Sequence, residues 1–239
     1  MKKIFKIISL LTFTFYSTFV YSNLARAVEP SSYINTIYAI NLCGPGSSLT
    51  ACVGPVVLGS TTAGTTFDLG SVTAGASAGN MGNLSAAVSG TTYSFAQVIL
   101  SRAFTVTGEA GAAGGSNRCR TETDNEFDVS SPSVVLGAND TAAAESQVIG
   151  IPSGTISSNM IGTTSLTGLD GADNSSGNGN IADAEPRVKF RFALTAPITI
   201  VHGKLPTFTI AFDLSDALTF GGSCAATPSA PSVTASFSN

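Results

Sequence analysis

The sequence predicts an all-β protein, an antiparallel β-sandwich or a small barrel with long loops rich in Gly, Ala and Ser. In two segments, 187–194 and 207–214, the large apolar residues occupy every second position, which is the period of a strand with one buried face. Turn residues recur at the short spacing typical of sandwiches and barrels. Charged residues make up only 11% of the chain, against about 25% on average, which excludes a long helical or coiled-coil protein.

The first element is predicted to be a helical signal peptide over residues 1–27. It opens with three basic residues, Lys2, Lys3 and Lys6. An apolar stretch follows over 7–24, and the small residues Ala25 and Ala27 then form an A-x-A site, so cleavage is expected before Val28. An uncleaved membrane anchor is the alternative, since about 18 apolar residues border on spanning length.

Residues 28–239 are predicted to form a single sandwich-like secreted domain, without a membrane span, in the periplasm, on the cell surface or in the medium. Loss of 1–27 leaves seven basic and 15 acidic residues, a net charge of −8. This acidic balance and the absence of a basic patch argue against binding to nucleic acid or to anionic membranes.

The expected strands follow the apolar runs of this domain. They cover residues 33–42, 53–58, 65–69, 92–107, 133–136, 147–151, 187–194, 197–202, 207–214 and a last strand over 231–237. The run over 92–107 is long enough to require a bend or bulge near Ser101-Arg102. Residues 141–147 are expected to form one short helical turn, 59–90 an irregular edge or excursion, and 108–117 and 169–180 long loops.

The four cysteines predict two disulfides, because an even number in an exported chain is typical of an oxidising compartment. Of the three possible connectivities, Cys43–Cys52 is favoured since a short loop with Gly and Pro separates the two residues. Cys119–Cys224 then joins the middle of the chain to its end. Free cysteines are the alternative, and zinc binding is disfavoured because there is no C-x₂-C pair and only one His.

A hydrolytic site is the least favoured chemical hypothesis. Gly75–Gly79 matches G-x-S-x-G with Ser77 as the nucleophile. His202, the single histidine, and an acid among Asp170, Asp173 and Asp183 would complete a triad. The segment lacks the flanking strand and helix that the motif requires, so a chance match and a surface histidine are preferred, and no enzymatic activity is predicted.

Two acidic segments are candidates for calcium, which prefers closely spaced oxygen ligands. The first carries four acids at alternate positions, Glu122, Asp124, Glu126 and Asp128, near Arg118 and Arg120. The second is the polar stretch 170–180, followed by Asp183 and Glu185, and its candidate ligands are Asp170, Asp173, Asn178, Asn180 and Asp183. A solvated strand and a polar hairpin loop are the alternatives, and no cofactor other than calcium is predicted.

Three functional hypotheses follow from the sequence. The favoured one is an exported structural or interaction protein of the cell envelope or surface, which includes self-assembly through the terminal strand with Val233, Ala235 and Phe237 on one side. Its partners are then other copies of the chain or other envelope proteins. The alternatives are a monomeric extracellular binding module stabilised by calcium and, less favoured, a secreted serine hydrolase.

Overall fold

The structure, a computed structural model, describes most of the chain from Arg26 onward. The described residues are 26–71, 82–111, 118–128, 134–136, 141–151, 154–155, 165–169, 180–181, 185–203, 206–229 and 231–238. Within them the chain forms strands and a single 3₁₀ helix, Leu84–Ala86. The all-β prediction is confirmed. No helix in these ranges is long and apolar enough to span a membrane.

The strands are numbered in chain order. They are β1 (Arg26–Val28), β2 (Ser32–Cys43), β3 (Val56–Asp68), β4 (Thr92–Ser101), β5 (Ala103–Thr107), β6 (Glu109–Ala110), β7 (Arg118–Arg120), β8 (Asp124–Asp128), β9 (Val134–Leu136), β10 (Gln147–Gly150), β11 (Gly154–Thr155), β12 (Ser165–Leu169), β13 (Asn180–Ile181), β14 (Arg187–Thr199), β15 (Thr207–Asp213), β16 (Leu218–Phe220), β17 (Ala226–Pro228) and β18 (Ser232–Ser238).

The largest sheet has β2 at its centre. Strand β3 pairs with one edge of β2, and the bent segment β4–β5 pairs with the other, since Cys43 faces Phe95 at one end and Ser32 faces Thr107 at the other. The bend is the bulge predicted near Ser101-Arg102. Every pairing in this sheet is antiparallel except that of β8 with β10, which is parallel.

The sheet divides at the bend. Before Arg102, the outer edge of β4 pairs with β14, which in turn pairs with β12. After Arg102, the outer edge of β5 pairs with β10, which pairs with β8. One continuous strand segment therefore supports two separate wings.

Smaller sheets complete the fold. They are β1–β16–β17, β6–β7–β9, the pair β11–β13 and the antiparallel pair β15–β18. Residues of β15 and β18 pack against the apolar core that also includes one face of the large sheet. Disulfides join Cys43 to Cys52 and Cys119 to Cys224, with Cα atoms 5.0 and 5.3 Å apart, which is the connectivity that the sequence favours.

The alternation of β14 is confirmed, with one exception. Val188, Phe190, Phe192 and Leu194 are buried, as the period of two requires. Arg191 was expected on the solvent face with its polar neighbours, but only 5% of it is exposed. The loop over 44–55 covers it, as described below.

Three element predictions are wrong. The predicted strands 53–58 and 65–69 are parts of one strand, β3, which begins at Val56 and ends at Asp68. The expected irregular edge over 59–90 therefore begins as a regular strand with two register shifts. Residues 187–194 and 197–202 likewise join in β14, which ends at Thr199.

The predicted helical turn over 141–147 is absent. The Glu145 backbone N–H donates to the carbonyl of Thr121 at 2.9 Å, and its carbonyl accepts from Thr121 Oγ1 at 2.6 Å. These tertiary contacts hold the segment beside Thr121, and Gln147 already begins β10.

Candidate functional site

Arg102 occupies the point at which the large sheet divides, and it bonds to both wings. Its backbone N–H donates to Pro186 at 2.9 Å, and its carbonyl accepts from the Ile151 N–H at 3.1 Å. The side chain, 2% exposed, donates from Nε to the Ile151 carbonyl at 2.6 Å and from a terminal nitrogen to the Glu185 carbonyl at 3.4 Å. Buried carbonyls need hydrogen-bond donors. Where the two wings separate, the Arg102 guanidinium supplies the donors for the carbonyls of Ile151 and Glu185.

Asn35 of β2 supplies hydrogen-bond donors to two backbone carbonyls on the opposite side of the bulge. Its Nδ2 donates to the carbonyls of Ser101 at 3.1 Å and Ala103 at 3.3 Å. These two bonds fix the orientation of the amide, because a reversed amide would place an oxygen against two carbonyl oxygens. Its Oδ1 is buried and has no hydrogen-bond partner. An unsatisfied acceptor of this kind is rare in a protein interior.

An apolar cavity of about 60 Å³ lies beside this bulge. Its walls come from the large sheet, from the end of β10 and from the β15–β18 side: Tyr33, Asn35, Ile37, Leu100, Phe104, Ile151, Phe190, Phe212 and Val233. The half-buried residues Ser229 and Pro231 stand at its edge. The divergence of the two wings at Arg102 explains why side chains do not fill this part of the core.

Tyr33 is the largest polar side chain of the wall. Its ring packs against Phe104 with centroids 5.3 Å apart. Burial raises the pKa of the Tyr33 hydroxyl well above its ordinary value, since an apolar environment disfavours the phenolate. No Asp, Glu, His, Lys or Arg is among the described residues that line the cavity, so its wall is uncharged at neutral pH.

No protein-family model, curated protein or solved structure matches this chain.

A second polar cluster crosses the opposite face of the large sheet. Asn41, Gln97 and Arg191 stand in register on adjacent strands and are all buried. Arg191 donates from Nε to Gln97 Oε1 at 3.0 Å and from a terminal nitrogen to the Leu49 carbonyl at 2.6 Å. Burial lowers the pKa of the Arg191 guanidinium.

The Cys43–Cys52 loop forms the cover of this cluster, since Leu49 belongs to it. Ser47 braces the loop from within, because its Oγ donates to Gly44 at 2.6 Å and accepts from the Val53 N–H at 2.8 Å. The disulfide therefore closes the loop whose Leu49 carbonyl accepts from the buried Arg191.

The arginines near Cys119 are paired. Arg118 forms an ion pair with Glu109, and Arg120 forms one with Glu122 at 2.7 Å. The sequence predicted that Arg118 and Arg120 partly neutralise the acidic segment 122–128. Arg120 does so through Glu122, whereas Arg118 pairs with Glu109, outside that segment. Glu122 has an ion-pair partner and is not available as a free ligand.

The remaining calcium candidates are only partly within the structure. Asp124–Asp128 form β8, including Glu126, and Asn180 begins β13. Asp170, Asp173, Asn178 and Asp183 lie outside the described residues. In the ranges that the structure covers, no group of three or more His, Cys, Asp or Glu residues is placed to hold a metal.

The hydrolase hypothesis also rests on residues that the structure describes only in part. His202 lies in an exposed turn after Ile200. Ser77 lies outside the described residues, as do the three candidate acids. The structure therefore brings no partner to His202 within the described part of the chain.

Sequence reasoning missed Asn35 and Arg102 as members of one site. A signal was present, because Asn35 interrupts an apolar run over 33–42 and Arg102 interrupts one over 92–107. A polar residue in a core strand indicates a specific hydrogen-bond requirement. Their meeting depends on the pairing of β2 with β4–β5, which neither run specifies alone.

Proposed function

We propose that the protein is an exported, disulfide-bonded interaction protein of the cell envelope or surface that associates with a second copy of itself. The association uses the free edge of the strand pair β15–β18. We also propose that the large sheet and this pair form the two layers of a sandwich-like domain. The observation that carries the proposal is that this edge pairs with no other strand in the described part of the chain.

The two outer edges of β15–β18 pair with no other strand in the described residues. Strand β14 lies against β18, and Thr195 Oγ1 donates to the Ala235 carbonyl at 3.0 Å. Strand β15 therefore presents the more open edge. A two-stranded sheet is marginal alone, and the stacked rings of Phe208 and Phe237, 4.8 Å apart, reinforce this one.

Two other edges of the fold, β8 and β3, carry features that discourage pairing. Strand β8 contains three acids in five residues, Asp124, Glu126 and Asp128. Strand β3 contains Gly59 and Gly64 and has two register shifts. By contrast, β15 has a single charge, at its last residue Asp213, and β18 has none.

A second copy suits this edge because β15 is short, regular and nearly uncharged. Antiparallel pairing of β15 with itself about a twofold axis places identical residues in both partners, which is the usual geometry of homodimers. A strand added to this edge forms backbone hydrogen bonds, so the partner surface does not need charged residues.

Light scattering during size exclusion of residues 28–239 tests this proposal. We expect a mass that is a multiple of the single chain. Thr209→Lys combined with Ala211→Lys should restore the single-chain mass, because these residues flank the edge on its outer face and like charges then meet across the pairing.

Ser89→Lys combined with Thr141→Lys is the matched control, since both residues are exposed and lie outside the pair. The control should assemble as the parent does. A single-chain mass for the parent at high micromolar concentration contradicts self-association. A mass that depends on calcium points to the alternative, a calcium-stabilised binding module.

Export and processing form a separate prediction. Strand β1 spans the predicted cleavage site, because Arg26 and Ala27 pair with Phe220 and Thr219, and Val28 pairs with Leu218. Cleavage before Val28 leaves one of these three pairings. We expect the intact mass of exported protein to begin at Val28, and Ala25→Leu with Ala27→Leu to block processing, since the peptidase needs small residues there. A mature chain that retains Arg26 would contradict this cleavage site.

A further inference from the structure

We propose that Arg191 and Gln97 bind a chloride ion beneath the Cys43–Cys52 loop, with Arg191 Nη2 and Gln97 Nε2 as the hydrogen-bond donors. The site is independent of the β15 edge, and it lies on the face of the large sheet opposite the apolar cavity. It combines a buried positive charge that has no acidic partner in the described part of the chain with two donors that have no hydrogen-bond partner there.

The first observation is a buried cation without a counter-charge. Arg191 is 5% exposed, and both of its hydrogen bonds end on neutral oxygens. The strands β2, β4 and β12 and the loop over 44–55, which border it, contain no Asp or Glu. Strand β3 has one acid, Asp68, at its last residue, whereas its first residues lie beside the cluster.

The other arginines near a disulfide are neutralised by acids. Arg118 pairs with Glu109 and Arg120 pairs with Glu122. A buried charge is costly unless an opposite charge accompanies it. Arg191 therefore favours an anion that the elements around it do not supply.

The second observation is a pair of donors without acceptors. Arg191 Nε donates to Gln97 Oε1 at 3.0 Å, and Arg191 Nη1 donates to the Leu49 carbonyl at 2.6 Å. A guanidinium can only donate, so the first bond orients the Gln97 amide with Nε2 as its remaining polar atom. Within the described residues, Arg191 Nη2 and Gln97 Nε2 have no partner, and neither belongs to the fully buried unpaired atoms. Both nitrogens therefore keep contact with solvent, and a small ligand can reach them.

The polarity of these groups selects a singly charged anion. The site offers N–H donors and one positive charge, while Gln97 Oε1 and the Leu49 carbonyl already accept from Arg191. A cation is repelled by the guanidinium, and a neutral hydroxyl leaves the buried charge unbalanced.

The geometry favours a halide over a carboxylate. A carboxylate binds arginine best through two parallel N–H bonds, but two of the three guanidinium nitrogens of Arg191 already donate to protein oxygens. A halide has no preferred direction of approach and needs only donors. The exposed fractions of Arg191 and Gln97, 5% and 6%, restrict entry to an ion of about the size of water.

The test exchanges gluconate for chloride at constant total salt, which keeps the screening of charges constant. The exported, oxidised protein is labelled with ¹⁵N, and the side-chain amide signals of Gln97 are followed. We expect a saturable shift of the Gln97 signals with half-saturation in the millimolar range. The side-chain signals of Asn35 should not shift, because its Nδ2 donates to Ser101 and Ala103 on the opposite face.

Gln97→Glu supplies an internal counter-charge. The carboxylate has the shape of the amide, still accepts from Arg191 Nε and neutralises the guanidinium, so chloride should no longer bind. Ser89→Glu is the matched control, since it adds the same charge at an exposed position. Each protein is unfolded with urea in chloride and in gluconate, because a ligand of the folded state raises the midpoint.

The parent and Ser89→Glu should show the same change of urea midpoint between the two salts, and chloride should favour both relative to Gln97→Glu. General effects of the salts on stability are common to the three proteins and cancel in this comparison. If Gln97→Glu does not fold, the titration of the parent still decides the proposal, because the Gln97 and Asn35 signals come from one sample.

Three results would overturn the proposal. A Gln97 shift that stays linear in chloride would mean that only water contacts its Nε2. Equal shifts at Gln97 and Asn35 would show a general effect of the salt. An unchanged dependence on chloride in Gln97→Glu would place the ion elsewhere.

Discussion

Replacing Arg102 with Met should lower the free energy of unfolding by about 3 kcal/mol. The substitution keeps much of the side-chain volume but removes the donors to the buried carbonyls of Ile151 and Glu185. Each buried acceptor left without a donor costs about 1–3 kcal/mol. Urea unfolding followed by circular dichroism measures the change, since the chain has no Trp to report by fluorescence.

Arg187→Met is the matched control for this prediction. Arg187 is half-buried, and its guanidinium lies 3.8 Å from the centre of the Tyr38 ring. An interaction of this kind contributes about 0.5–1 kcal/mol. If the two variants lose equal stability, Arg102 does not have the special role at the division of the sheet that its contacts indicate.

Removing the Cys119–Cys224 disulfide should lower the free energy of unfolding more than removing the Cys43–Cys52 disulfide. Its cysteines are 105 residues apart, against 9 for Cys43–Cys52. In the chain-entropy account, a loop of about 100 residues corresponds to about 4.7 kcal/mol and a short one to about 3 kcal/mol. The Cys→Ser pair at 119 and 224 should therefore unfold at lower urea than the pair at 43 and 52.

The same experiment separates the two roles of the shorter disulfide. Cys43→Ser with Cys52→Ser also loosens the loop above Arg191, so amide exchange in Asn41 and Gln97 should rise in that variant alone. Mass spectrometry of the unreduced parent should detect no alkylatable thiol. Equal midpoints for the two disulfide variants, or four free thiols in the parent, would contradict this account.

The pattern of large apolar residues predicted the strands of the core well. Val188, Phe190 and Phe192 face inward as the alternation requires, and the bulge near Arg102 was expected from the length of the run over 92–107. The pattern failed at 141–147, where helix-favouring alanines form no helix and Thr121 bonds to both backbone groups of Glu145. Tertiary hydrogen bonds overrode local propensity there.

The candidate site was predictable only in part. The disulfides followed from the number and spacing of cysteines in a chain that the sequence predicts to be exported. The cavity did not, because its wall combines residues from β2, β5, β14 and β18 that are distant in sequence. The sequence-based candidates Ser77, Asp170 and Asp173 lie outside the described residues, so they stay hypotheses.

The sequence by itself determined the β class, the face that most strand residues present to the core and the presence of an even set of cysteines. These properties depend on composition and on neighbours two positions apart. Only the tertiary structure decided that the sheet divides at Arg102, that Arg191 is buried and that Asn35 keeps a free acceptor. The reason is physical: the partners of Arg102, Arg191 and Asn35 are 49 to 142 residues away along the chain, and no local pattern encodes which strand edges meet.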